Sequence, residues 1–179
     1  SGSLLGGKVI KPVRADSTCV DSAAATTAAE GLVSQGVAAI MGADCSGVTG
    51  AIASNVAVPK GVVMISPSAT SPGLTTLDDK GFFFRTAPSD ARGGQILADI
   101  TKDRGIKSVA ITYTNNDYGK GLADVYEAAV KAHGIKDAKI YECDAKLFNY
   151  DTLPPVAFCL FDVDLYLPTK SVLPKLYSK

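Results

Sequence analysis

Short apolar runs that end in turn residues, most of them handing over to a helical pattern, recur along this chain and narrow its fold to one class. The runs lie at 8–15, 37–41, 62–65, 82–85 and 107–114. Asp21 or Ser22 caps a helix that extends through Gln35 and stops at Gly36. Ser46 begins another, with Val48, Ile52 and Val56 recurring on one face until Pro59 ends the pattern. Ser89 caps a helix carrying Ile96, Leu97 and Ile100, closed by Gly105. Val109, Ile111 and Tyr113 alternate as a strand does, and Phe82-Phe83-Phe84-Arg85 predicts a short buried one. The loop Asn115-Asn116-Asp117-Tyr118-Gly119 leads into a helix with Leu122, Val125, Tyr126 and Ala129 on one face and His133-Gly134 at its end. Repeated βα units imply a mainly parallel sheet with helices on both faces, so the expectation is an α/β fold built as a parallel-sheet three-layer sandwich.

Two of these strand ends carry hydroxyls. Gly61-Val62-Val63-Met64 runs into Ile65-Ser66-Pro67-Ser68-Ala69-Thr70-Ser71-Pro72, and Val37-Ala38-Ala39-Ile40-Met41 runs into Gly42-Ala43-Asp44-Cys45-Ser46-Gly47. Open α/β sheets bind ligands outside the carboxyl ends of their strands. Ser46 at a helix N-cap offers a hydroxyl beside the amides of the first turn, which suits a small carboxylate. Thr70 adds a hydroxyl and a backbone N–H, and Ala69 or Ser68 offers a carbonyl to an ammonium group. On pattern alone, the reading to be preferred is that Ser46 only caps its own helix and that Ser-Pro-Ser-Ala-Thr-Ser-Pro is ordinary turn composition.

Charge excludes other classes. The 18 basic and 18 acidic residues of this 179-residue chain cancel, and the basic ones are scattered, which argues against a nucleic-acid partner. No apolar run approaches the roughly 20 residues that cross a bilayer, so membrane insertion is not expected. Ser1-Gly2-Ser3 shows no basic region followed by an apolar segment, so any export signal is expected to have been removed or to lie outside this sequence.

The order of motifs carries a resemblance. Asp16, Cys19 and Asp21, then Gly42 with Cys45-Ser46, then Ile65-Ser66-Pro67-Ser68-Ala69-Thr70, then Phe84-Arg85-Thr86, then Asn116-Asp117-Tyr118-Gly119-Lys120-Gly121 resemble the leucine/isoleucine/valine-binding family of periplasmic solute-binding proteins. The similarity spans roughly 4–136. It implies a type I two-lobed fold that closes around an amino acid or amide and delivers it to an ABC transporter permease in the periplasm, with no catalytic residue, cofactor or metal. It also implies that Ser46 binds the ligand carboxylate, with Ser68, Ala69 and Thr70 beside it, and that Tyr118 supplies a wall of the cleft from the second lobe. The alternative for Tyr118 is a partly buried ring before a helix. In the resembling proteins the acid that meets the ligand ammonium lies beyond the similar region, and no residue here takes that role. Branched-chain amino acids are the default ligand, although relatives accept amides, urea and aromatic acids.

The same resemblance makes the chain an expected fragment: a partial first lobe at 1–104, the beginning of a second lobe at 105–141 after a crossing near Gly105, and an unassigned tail at 142–179. Family members begin earlier, with a strand central to the first sheet. In the tail, Leu153-Pro154-Pro155 and the apolar run 156–161 suggest a loop and one strand. Cys19 and Cys45 follow successive strands and are compatible with the disulfide of the resembling proteins, which would fit an oxidising compartment; the alternative is two reduced, buried thiols. The spacing of Cys143 and Cys159 favours neither a pair nor free thiols.

Enzymatic alternatives find weaker support. Gly119-Lys120-Gly121 has Gly where a phosphate loop needs Ser or Thr, and Gly42, Gly47 and Gly50 miss the dinucleotide spacing. No serine has the G-x-S-x-G context, Asp78-Asp79 read as solvated, and His133 at a helix end is expected to meet terminal carbonyls. With no CxxC, metal binding is not expected. A Rossmann-like enzyme acting on a small anionic substrate and a ligand-sensing regulator on the same fold remain as alternatives, the second opposed by the expected disulfide.

Overall fold

Strand and helix signals become elements only where the backbone finds partners. The computed structural model describes residues 6–141 and 147–152. Cys143, Cys159 and the expected loop and strand of the tail lie outside the described residues. The chain divides into two compact units between Pro88 and Ser89.

In the first unit, helix α1 (Ser22–Ser34) begins where the Asp21 side chain accepts from the amides of Ala23 and Ala24, as a cap must to satisfy the orphan donors of the first turn. Strand β1 (Ala39–Met41) leads to α2 (Ser46–Ile52), a π-helical turn (Ala53–Ala57) and α3 (Val58–Lys60). Strand β2 (Val63–Ser66) is followed by a 3₁₀ turn (Pro72–Thr76) and β3 (Phe83–Arg85). The order is β1-β2-β3 and both pairings are parallel. Ile40, Met64 and Phe83 stand in register on one face and pack with Ala25, Ala29, Val48, Ile52 and Val56 into the core. Met41, Ile65 and Phe84 stand in register on the other face and are 86%, 40% and 52% exposed. The described residues of this unit therefore supply the sheet and one helical layer.

Three expectations change here. Residues 8–15 form no strand: Val9 and Ile10 are exposed, and no described strand pairs with the segment, so apolar alternation has nothing to bond to. Pro59 does not end its helix but sits inside α3. The preceding π turn bonds Val58 to Ala53, widening the spacing that would set a proline ring against an upstream carbonyl, and Gly61 at φ +66° supplies the stop. Of the Phe82–Phe84 run only Phe83 is buried, because a strand with one packed face sends alternate side chains outward.

The second unit contains α4 (Asp90–Asp103), β4 (Ser108–Ile111), α5 (Asp117–Ala132) and β5 (Asp137–Ile140), with β4 and β5 parallel. Ser89 caps α4 as expected, its hydroxyl accepting from Ala91 at 3.3 Å. Helices α4 and α5 approach closely at Gly94, where an added Cβ would stand 2.6 Å from Val125 Cγ1. Thr101 Oγ1 donates to the Leu97 carbonyl and lies 2.8 Å from the Tyr126 hydroxyl, so Tyr126 is the donor between them. This packing ties α4 to α5 within the unit that begins at Ser89. His133 is the C-cap of α5, yet its ring does not serve the terminal carbonyls: Nε2 lies 2.7 Å from Asp99 Oδ1 on α4.

Candidate functional site

The carboxyl ends of β1 and β2 are stitched together by hydroxyls. Ser66, the last residue of β2, faces the core side and is fully buried; its Oγ donates to the Ala43 carbonyl at 2.6 Å and accepts from the Ala69 amide at 3.0 Å. A buried hydroxyl needs such partners, and here they fix the two loops against each other. Ser68 Oγ donates toward Asp44, meeting its carbonyl at 3.1 Å and its Oδ1 more closely. The covalent tie is Cys19 to Cys45, with Cα atoms 5.2 Å apart, which fastens the segment before α1 to the start of α2.

Ser46 departs from the capping role expected of it. Cys45 is the N-cap of α2, with no side-chain cap bond, and Ser46 is the first helical residue. Its side chain instead turns to the other loop and accepts from the Ser71 amide at 3.1 Å, with only 4% of the residue exposed. A hydroxyl has one hydrogen to donate and lone pairs to accept with. Because the Ser71 bond uses a lone pair, the Ser46 proton stays available to an acceptor. Next to Ser71, Thr70 is half-buried and its hydroxyl takes none of the hydrogen bonds among the described residues.

Arg85 closes the arrangement from the end of β3. One guanidinium nitrogen donates to the carbonyls of Ala69 at 3.3 Å and Ser71 at 2.8 Å, and the other to Thr75 Oγ1. Thr86 continues the ladder through its amide to the Ser66 carbonyl at 3.0 Å. The Ala69 carbonyl, one candidate partner for a ligand ammonium, is thus already engaged by Arg85. The structure brings Ser46, Ser68 and Ala69 into one hydrogen-bonded group, with Thr70 between Ala69 and Ser71 in the chain and its hydroxyl outside that group. Tyr118 belongs to the second unit, half-buried in the first turn of α5, where the Asn116 side chain accepts from the Gly119 amide at 2.8 Å. Ser66 and Arg85 were not singled out by sequence as site residues. The inward position at the end of β2 is the signal that marks Ser66, whereas the carbonyls that Arg85 reaches cannot be read from residue type.

Residues 1–140 match the family described as the receptor family ligand binding region. The chain belongs to this family. It is 30% identical over 156 residues to a Leu/Ile/Val-binding protein homolog of Brucella melitensis biotype 1, covering 87% of this chain and 39% of that protein. Among solved structures, an ABC transporter substrate-binding protein of Desulfitobacterium hafniense in complex with Leu is 32% identical, with a TM-score of 0.58 over 75% of this chain and 40% of that one. A leucine binding protein LivK of Thermotoga maritima is 28% identical, with a TM-score of 0.61 over 68% of this chain and 35% of that one. The chain spans about two fifths of the length of these family members. Several of its relatives carry the name Leu/Ile/Val-binding or leucine binding protein, and its α/β architecture is part of the type I fold of the solved ones.

Proposed function

We propose that this chain is the ligand-capturing part of an extracytoplasmic receptor that holds a branched-chain amino acid, or a related small molecule, for an ABC transporter permease and leaves it chemically unchanged. The observation that carries the reading is the Ser46 hydroxyl: it accepts from the Ser71 amide through one lone pair, and among the described residues no acceptor takes its proton or that of Thr70, the residue before Ser71. Two such donors at adjacent strand ends, with the first-turn amides of α2 that have no intrahelical acceptor, fit a carboxylate. The Ala69 carbonyl keeps one lone pair beside its bond to Arg85, so it and the Ser68 carbonyl are the acceptors offered to the ligand ammonium. The Cys19–Cys45 disulfide supports an oxidising, extracytoplasmic setting over a cytosolic regulator on the same fold. Relatives that are solute-binding proteins support a non-enzymatic role.

Calorimetric titration with L-leucine tests this. Ser46→Ala and Thr70→Val are each expected to weaken binding by about 1.5–3 kcal/mol, the range for a hydrogen bond to a charged partner. Unchanged affinity in both variants would remove the carboxylate from this place.

A further inference from the structure

We infer that Arg85 is a positioning residue for the ligand site, a clamp that holds Thr70 in place by gripping the backbone on either side of it. The inference rests on the proposed function for its purpose but not for its geometry. Arg85 Nη1 donates to the carbonyls of Ala69 and Ser71, the residues immediately before and after Thr70, and Nη2 donates to Thr75 Oγ1 further along the same loop. Arg85 on β3 therefore pins the Ala69–Thr70 peptide group and the Ser71–Pro72 peptide group, and the Thr70–Ser71 peptide between them is held from α2, where Ser46 accepts from the Ser71 amide. The planar guanidinium fork can bridge several acceptors at fixed angles, and bonds from an ionised donor are stronger than neutral ones.

The loop needs such a device. Residues 67–71 form no helix or strand, so their backbone groups are held by side chains rather than by a ladder. Ser66 secures the start of the loop through the Ala69 amide, and the 3₁₀ turn Pro72–Thr76 secures its end through the Leu74 amide bonded to the Ser71 carbonyl at 3.2 Å. Between those anchors stands Thr70, and Arg85 is the group that reaches both of its neighbours. Arg85 thus shapes the site without itself touching the ligand.

Hydrogen exchange followed by amide-resolved mass spectrometry or NMR on the 179-residue chain tests the clamp without any ligand. In Arg85→Gln the amides of Ala69, Ser71 and Leu74 are expected to exchange about tenfold faster or more, as loss of one bond to a charged group implies. The amides of Thr49 and Met64, bonded to Cys45 and Phe82, serve as the reference and are expected to hold their rates. Arg85→Lys keeps the charge but loses the fork, and is expected to accelerate the same three amides. Unchanged rates at all three in both variants would overturn the proposal. So would a uniform acceleration that includes Thr49 and Met64, because it marks a residue of general stability. Arg85→Lys exchanging like the wild type would show that charge, not the clamp, is what matters, and would overturn it too. L-leucine titration of the same variants beside Ser46→Ala and Thr70→Val separates the two readings. If only the latter pair leave binding intact, the carboxylate assignment falls while the exchange result still decides the clamp.

Discussion

The Ser71 amide and the Ser46 hydroxyl, 25 positions apart in sequence, meet at 3.1 Å and join the loop after β2 to the first turn of α2. Thr70, one residue away, makes no comparable bond among the described residues. The two hydroxyls are therefore expected to separate in stability measurements even though both are assigned to the ligand. Ser46→Ala strands a buried amide and should cost about 1–3 kcal/mol in urea unfolding, the penalty for an unsatisfied buried group. Thr70→Val should change the stability by an amount within about 0.5 kcal/mol, as substitutions away from such features do. Equal losses in the two variants would contradict the hydrogen-bond assignment.

Cys19 and Cys45 close a loop with a sequence separation of 26. Non-reducing peptide mapping is expected to recover the two peptides linked, and alkylation of both thiols before reduction would refute this. By the chain-entropy estimate, replacing both by alanine should lower unfolding stability by about 3–4 kcal/mol.

At Gly94 the close approach of α4 to α5 leaves no room for a side chain. The atoms that a Cβ would meet include the Tyr126 backbone nitrogen at 3.2 Å, which cannot swing aside as a flexible side chain can. Gly94→Ala should therefore destabilise the second unit by about 1–3 kcal/mol through overpacking, although alanine is the better helix former. A gain in stability on denaturant titration would show that the helices can separate without cost.

Met41, Ile65 and Phe84 make a row of apolar side chains across three paired strands, on a face that is largely exposed. Exposed apolar patches and unpaired strand edges favour association. Light scattering on the 179-residue chain is expected to show concentration-dependent self-association, reduced in a Met41→Ser, Phe84→Ser double variant whose core is untouched. A monodisperse monomer at all concentrations would rule this out.

Much of the architecture was legible because local and tertiary signals agree. Asp21 before an alanine-rich run, Asn116 before α5 and glycines after the helices each satisfy or terminate backbone groups by themselves, so their effect survives in any context. Residues 8–15 misled because alternation describes a surface, whereas a strand also needs a neighbour. Strand β5 went unplaced because Asp137-Ala138-Lys139-Ile140 is too short for a period to declare itself, and its pairing with β4 is what makes it a strand. In the site, hydroxyl-rich strand ends pointed to Ser46 and Thr70. The orientation of Ser46 toward Ser71, and the reach of Arg85 to two carbonyls, depend on contacts between segments that residue type does not encode.

Each strand pairing among the described residues is parallel, and that has a kinetic side. Parallel neighbours cannot zip up from a tight hairpin; every pairing must wait until the intervening helix or loop has closed on itself. Such distant contacts are formed late and at an entropic cost, so this chain should fold more slowly than a helical bundle of equal size. While it waits, the strands that carry Met41 and Phe84 have not yet met β2, and a cell making the protein would have to keep nascent copies apart during that interval.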